Sequence, residues 1–281
     1  MTSVRKRSAI PNIMPATVNV RRSYADCRYG QMHVATAYPS GGGFDERTPL
    51  ICLHHAGGSN RAFAAILPEL GRDRSVYALD LPGHGTSDNA SGAPSIADYA
   101  GAVADFVAAL RLRTFDLLGV EAGALIAAEV AANRGPQVRR VVLLSIPYMS
   151  QPALRQIAPR VDVEMNVATN VAEEWLKFSA TRVTNVAPLA QQNLFIDHLR
   201  AGAAEHSLRT AMQEYPVAQR LPLLRLPTLV LCPSDDLREQ TLRAKSSLSQ
   251  GSLVELQDCG NYALVAAPLK ISQLTREFLD R

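Results

Sequence analysis

The sequence predicts an α/β fold, in which a mostly parallel β-sheet is covered by helices on both faces. Short apolar runs alternate with helical patterns along most of the 281 residues, and this alternation is typical of parallel sheets. Runs such as 49–53 and 138–144 lack regularly spaced polar positions. Strands that are buried on both faces have this pattern.

The composition is that of an ordinary globular protein, with 47% hydrophobic and 20% charged residues. The net charge of +3 is too small to favour nucleic acid. No stretch approaches eighteen consecutive apolar residues, and no apolar run follows the basic residues at 5–7. We therefore expect a cytoplasmic protein with no membrane or nucleic-acid partner.

Individual elements follow from local patterns. Residues 1–19 show little periodicity and are predicted to be a flexible arm, followed by two antiparallel strands up to Pro39. A helix is predicted over 60–71. Another helix begins after Ser95, where Asp98 completes a capping pattern. The last helix is predicted from about Pro268 to Leu279.

The rhythm of strands and helices is interrupted once. Residues 147–222 contain no convincing strand but several amphipathic helical patterns, and strands return at 228–232. We therefore predict a core formed by 20–146 and 223–281. Residues 147–222 are predicted to be a helical insertion that covers one end of the sheet as a cap.

Three motifs follow predicted strands. The run G-V-E-A-G at 119–123 joins a strand to an alanine-rich helical segment and has the spacing of the strand–turn–helix motif G-x-S-x-G, with Glu121 at its apex. The loop H-H-A-G-G-S occupies 54–59, and D-L-P-G-H-G-T-S-D occupies 80–88.

With these motifs in this order, the chain resembles the α/β-hydrolase superfamily from about residue 20 to its end. The resemblance implies an eight-stranded, mostly parallel sheet with a helical cap. It also implies that the backbone N–H groups of Ala56 and Ala122 form an oxyanion hole. His54 and Gly57 belong to the same loop and are candidate ligand-binding residues.

The resemblance also places a catalytic triad in the order nucleophile, acid and histidine. Glu121 holds the nucleophile position, Asp236 the acid position with Asp235 as second choice, and Asn261 the histidine position. Two of the three therefore depart from the pattern, and hydrolysis through an acyl-serine is not expected. Ser145 follows the next strand and is not expected to replace the missing nucleophile, because it is distant from Glu121 in sequence.

A carboxylate at the apex of this turn has several possible roles. Glu121 would be a nucleophile that forms an alkyl ester, an acid–base group of a lyase, or a plug in its own oxyanion hole. His55 is the nearest candidate base. We expect an atypical hydrolase or lyase that acts on a small apolar carbonyl, ester or epoxide-like compound. The alternative is an inactive homologue that binds a small ligand or a protein partner.

No G-x-G-x-x-G sequence and no P-loop is present, so no cofactor is expected. The four cysteines are widely spaced and form no C-x-x-C pair, which gives no indication of a metal or of a disulfide framework. The expected partner is a small-molecule substrate or ligand, and a homodimer is one candidate assembly.

Overall fold

The computed structural model describes residues 18–40, 46–148, 171–182 and 186–281. Its strands are β1 Val18–Cys27, β2 Gly30–Pro39, β3 Leu50–Leu53, β4 Val76–Leu79, β5 Phe115–Val120, β6 Val138–Leu144, β7 Thr228–Pro233 and β8 Gly251–Leu256. They form one sheet in the order β1-β2-β4-β3-β5-β6-β7-β8. β2 is antiparallel to both neighbours, and all other pairs are parallel. The predicted mostly parallel eight-stranded sheet is confirmed.

Helices connect most of the strands. In chain order they are α1 Leu67–Leu70, α2 Ile96–Ala109, α3 Ala122–Asn133, α4 Val171–Arg182, α5 Pro188–Ala201, α6 Ala203–Glu214, α7 Val217–Arg220, α8 Arg238–Ser246, α9 Ala263–Ala266 and α10 Pro268–Leu279. Short 3-10 turns lie at Asn60–Phe63 and Leu221–Leu223. Within the described residues, no helix has both the length and the apolar character that crossing a bilayer requires.

The sheet has a separate apolar core on each face. Successive side chains of a strand point to opposite faces, so Ile51 and Leu53 join one core while Leu50 and Cys52 join the other. Helices α2, α3 and α8 contribute to the first core, and α1 and α10 to the second. Every residue of β3 is fully buried, which explains its unbroken apolar run.

The predicted helix over 60–71 is interrupted. The chain forms the 3-10 turn Asn60–Phe63 and then the separate helix α1. Pro68 explains the break, because proline has no N–H to donate to the preceding turn and its ring clashes with a continuous helix. The last helix begins and ends at the predicted residues.

The described part of the predicted insertion contains helices α4 to α7 and no strand. Residues 149–170 and 183–185 of that insertion lie outside the described residues. The predicted arm also lies outside them except for its last two residues, which begin β1.

Two glycines allow α3 to lie directly against the sheet. A Cβ atom on Gly123 would overlap the carbonyl oxygen of Leu53 and lie 2.7 Å from that of His54. A Cβ on Gly119 would overlap the backbone of Gly123 in the same way. The backbones of β3, β5 and α3 therefore meet without an intervening side chain, and this contact fixes where the turn at Glu121 lies.

We expect Gly123→Ala to destabilise the fold by about 1–3 kcal/mol, the usual cost of overpacking. Helix propensity alone favours alanine by about 1 kcal/mol, but the clash is with backbone carbonyls, which cannot rotate away. Urea unfolding followed by circular dichroism measures the change.

Gly135→Ala is the matched control. A Cβ at Gly135 would have its nearest neighbour at 3.6 Å, an ordinary contact distance. This variant should unfold within about 0.5 kcal/mol of the wild type. Equal stability of the two variants would contradict the close packing at Gly123.

Candidate active site

Glu121 stands at a strained turn between β5 and α3. Its φ of 51° and ψ of −111° lie in a region that residues with a Cβ rarely adopt. Such a conformation costs roughly 1–3 kcal/mol and persists only where the surrounding structure enforces it. Packing at Gly119 and Gly123 enforces it here, and the strain directs the Glu121 side chain away from the sheet.

The loop after β3 provides the first partner of this side chain. The backbone N–H of Ala56 donates to Oε2 of Glu121 at 2.9 Å. The loop is fixed against the turn, because the N–H of Gly123 donates to the carbonyl oxygen of His54 at 3.1 Å. Ala122 is the first residue of α3, where an N–H has no acceptor within the helix.

Arg209 of α6 provides the second partner and was not predicted from the sequence. Its Nη1 lies 3.4 Å from Oε1 of Glu121, and its Nε and Nη2 donate to Oε1 of Glu205 at 2.9 and 2.8 Å. Burial lowers the pKa of Arg209, but the two carboxylates more than compensate and raise it overall. The only local signal in the sequence was the i, i+4 spacing of Glu205 and Arg209, which is typical of helical ion pairs.

Glu205 continues the network away from the cavity. Its Oε2 lies 2.5 Å from Nδ1 of His198. The same carboxylate lies against Gly57, whose φ of 76° and lack of a Cβ make room for it. Gly57 therefore contacts the network through its backbone and does not line the cavity.

The side chain of Glu121 lines a cavity of about 210 Å³. It is lined by His55, Ala62, Val120, Glu121, Leu144, Ser145, Arg209, Asp235, Asp236, Leu237, Asn261, Tyr262, Ala263, Leu264 and Val265. Four residues predicted from the sequence, namely His55, Glu121, Asp236 and Asn261, therefore line the same open cavity, as does Asp235, the second choice for the acid. The apolar part of the wall comes mainly from strand ends and from α9.

Asp236 and Asn261 are paired. Nδ2 of Asn261 donates to Oδ2 of Asp236 at 3.2 Å, and the N–H of Asp236 donates to Oδ1 of Asn261 at 3.4 Å. Among the described residues, Asn261 makes no hydrogen bond to Glu121. A carboxamide does not exchange protons near neutral pH, so Asn261 holds the Asp236 carboxylate without offering it a proton.

His54 is not part of the cavity wall. Its ring is fully buried, Nδ1 donates to the carbonyl oxygen of His55 at 2.7 Å, and Nε2 accepts from the N–H of Leu81 at 3.0 Å. Burial lowers the pKa of His54 to about 4. Both ring nitrogens are therefore used within the protein, and no atom of this neutral ring is left for a ligand.

His55, in contrast, reaches the cavity. Its ring meets that of Tyr262 edge-on, with 5.4 Å between the ring centroids. Tyr262 has a φ of 60° and lies next to Asn261. Its ring is also 6.4 Å from that of Phe178, so an aromatic cluster from α4 and α5 extends to the cavity edge.

Ser145 also lines the cavity, although its distance from Glu121 in sequence argued against this. Val120 pairs with Leu144 in the sheet, so the residues that follow these two strands are neighbours. Oγ of Ser145 donates to Oδ2 of Asp235. Burial raises the pKa of the Asp235 carboxyl. Strand order was the signal that would have located Ser145.

Metal ligands were sought among the described side chains. Among the described residues, no three His, Cys, Asp or Glu side chains are arranged to hold a metal ion. The four cysteines are free thiols, and all but Cys27 are buried.

Comparison with known proteins agrees with the fold. A model of the alpha/beta hydrolase family matches residues 50–273. The (E)-2-((N-methylformamido)methylene)succinate hydrolase of Acinetobacter baylyi is 22% identical over 84% of this chain and 91% of that protein. The 2-succinyl-6-hydroxy-2,4-cyclohexadiene-1-carboxylate synthase of Pectobacterium atrosepticum is 25% identical over 82% of this chain and 93% of that protein.

A solved structure of a hydrolase from Pseudomonas aeruginosa is similar throughout. It superposes with a TM-score of 0.79 and 18% identity, covering 92% of this chain and 98% of that one. The sheet order, the strand–turn–helix at Glu121 and the family match agree. The chain belongs to the α/β-hydrolase family.

Two buried histidines, His54 and His84, predict that the free energy of unfolding depends on pH. The pKa of His54 is about 4 and that of His84 about 3 in the folded protein, against about 6.5 in an unfolded chain. Both folded values are depressed, so their contribution is complete above pH ~6.5 and is lost as the pH falls. We expect the free energy of unfolding, measured with urea, to fall by about 1.4 kcal/mol per pH unit per histidine between roughly pH 6 and 4.

His84→Asn isolates one of the two contributions. The asparagine amide can replace Nδ1 of His84, which donates to the carbonyl oxygen of Pro82. The free energy of unfolding should then depend less steeply on pH, by about the contribution of one histidine. His206 is exposed, so His206→Asn should keep the wild-type slope. Identical slopes in all three proteins would contradict the assignment.

Proposed function

We propose that this protein is an enzyme of hydrolase type, in which the carboxylate of Glu121 attacks a small electrophile bound in the cavity. One observation carries the proposal. Oε2 of Glu121 accepts the N–H of Ala56, whereas Oε1 lies on the side of Arg209, which lines the same cavity. One oxygen is thus held at 2.9 Å by the backbone, while the other has a longer contact of 3.4 Å with Arg209 at the cavity wall.

This arrangement suits a two-step reaction through an ester. In the first step, Oε1 bonds to a carbon of an epoxide-like substrate, the carbon–oxygen bond of the ring breaks, and the ring oxygen takes up a proton from water. In the second step, water attacks Cδ of Glu121, and the bond between Cδ and Oε1 breaks as the diol leaves with a proton. The negative charge then develops on Oε2, which already accepts the N–H of Ala56. His55 is the proposed acceptor of the water proton.

The cavity supports a small and largely apolar substrate. A volume of about 210 Å³ fits a compound of modest size, and Val120, Leu144 and Leu264 form part of the wall. The names of the two relatives also refer to small molecules. Carboxylate attack on an ordinary ester would give an anhydride, so we favour an epoxide-like substrate for Glu121. We propose that helices α4 to α7 form the cap over this space.

A non-catalytic ligand-binding protein is the second candidate. It is favoured by the pairing of Glu121, since both carboxylate oxygens face protein donors, and by the absence of a histidine at Asn261. In that case Glu121 stabilises the turn and the loop, and the cavity binds its ligand without turnover.

Glu121→Gln separates the two candidates. The glutamine carbonyl still accepts the N–H of Ala56, but the side chain is no longer a nucleophile. With styrene oxide as the probe, we expect the wild type to form the diol and to carry a transient ester on Glu121. Turnover should fall by at least about a thousandfold in the variant. Gas chromatography measures the diol, and mass spectrometry of the acid-quenched protein locates the ester.

Glu214→Gln is the control, because Glu214 lies exposed at the end of the same helix that carries Arg209. It should turn over at the wild-type rate. An unchanged rate in Glu121→Gln would disprove a nucleophilic carboxylate. A lowered melting temperature in Glu121→Gln, with no turnover in either protein, would support the ligand-binding candidate.

A further inference from the structure

Ser145 has an unusual backbone conformation beside the turn at Glu121. It follows β6 directly, and its φ of 56° lies in the left-handed region that disfavours residues with a Cβ. Leu144 pairs with Val120 on one side and with Leu231 on the other. Ser145 therefore lies between the strand that leads to Glu121 and the strand that leads to Asp235, about 4.8 Å from each neighbouring strand.

The Ser145 hydroxyl is oriented by a carboxylate that is itself held in place. Oγ of Ser145 donates to Oδ2 of Asp235, while Oδ1 of Asp235 accepts the N–H of Leu237 at 3.0 Å. Ser145 is 8% exposed, and all three residues line the cavity. A nucleophile, a base within hydrogen-bond distance and a third group that orients the base are the features of an activated hydroxyl.

The environment favours proton transfer to the Asp235 carboxylate. Burial is the largest influence on its pKa and raises it, which makes the carboxylate a better proton acceptor than one in water. Asp236, by comparison, is hydrogen-bonded to Asn261 and not to a hydroxyl. The two adjacent aspartates thus have different partners, and only Asp235 is positioned to accept a proton from a serine.

We propose that Ser145 is a second nucleophile of this cavity, specific for acyl and phosphoryl electrophiles, with Asp235 as its base. Oγ bonds to the electrophilic carbon or phosphorus while its proton passes to Oδ2 of Asp235. The bond to the leaving group then breaks, and the leaving alcohol takes that proton. Water then attacks the same carbon or phosphorus and passes a proton to Asp235, the bond to Oγ breaks to release the acid, and Oγ takes the proton from Asp235.

This activity goes beyond the epoxide-type chemistry proposed for Glu121 and does not depend on it. A carboxylate that attacks an sp³ carbon gives an ester, whereas a hydroxyl that attacks an ester gives another ester without passing through an anhydride. One cavity would thus contain two nucleophiles that select different electrophiles.

Diisopropyl fluorophosphate tests the proposal on the full-length protein. Attack by Oγ forms the oxygen–phosphorus bond, expels fluoride and leaves the proton on Asp235. We expect one label per chain by intact mass, located on Ser145 by peptide mapping. Ser145→Gly, which suits a positive φ, should abolish labelling, and Asp235→Asn should slow it at least about tenfold.

Ser95→Ala is the matched control, because Ser95 also donates to an aspartate, Oδ2 of Asp98 at 2.6 Å, but on the surface. It should be labelled at the wild-type rate. Melting temperatures verify that each variant is folded. Absence of label, a label on another serine, or an unchanged rate in Asp235→Asn would overturn the proposal. The probe reports on Ser145 and styrene oxide on Glu121, so failure of one proposal is distinguishable from failure of the other.

Discussion

The close contact between α3 and the two central strands is the constraint on which the candidate site depends. At Gly119 and Gly123, backbone atoms occupy the space that a side chain would need. The contact also brings the carbonyl oxygen of His54 to the N–H of Gly123. The loop after β3 and the turn at Glu121 are therefore held together by backbone alone, and Ala56 reaches the carboxylate as a consequence.

The charge of Glu121 is balanced by groups from three separate parts of the chain. The N–H of Ala56 and the start of α3 provide partial positive charge, and Arg209 provides a full one. Arg209 is shared with Glu205, whose other oxygen contacts His198. One guanidinium therefore connects the Glu121 turn to the Glu205 carboxylate on its own helix.

The sequence predicted those parts of the site that backbone geometry dictates. The turn at Glu121 was recognisable from its glycines, and the family resemblance pointed to Asp236 and Asn261, which line the same cavity. Arg209 was not, since no backbone motif fixes how a surface helix packs over a sheet. Ser145 was discounted for another reason: residues 24 apart in sequence become neighbours only through the parallel pairing of β5 with β6.

The pairing of Asn261 with Asp236 limits which groups of the cavity can transfer protons. Asn261 keeps a hydrogen bond to Asp236 but cannot exchange a proton near neutral pH. His54 is excluded as well, because its ring is buried and both nitrogens are bonded within the protein. Among the described residues that line the cavity, His55 and Asp235 are the groups whose position and chemistry suit proton transfer. A reaction that uses His55 or Asp235 as its base therefore draws that base from the loop after β3 or from the end of β7, on either side of Glu121.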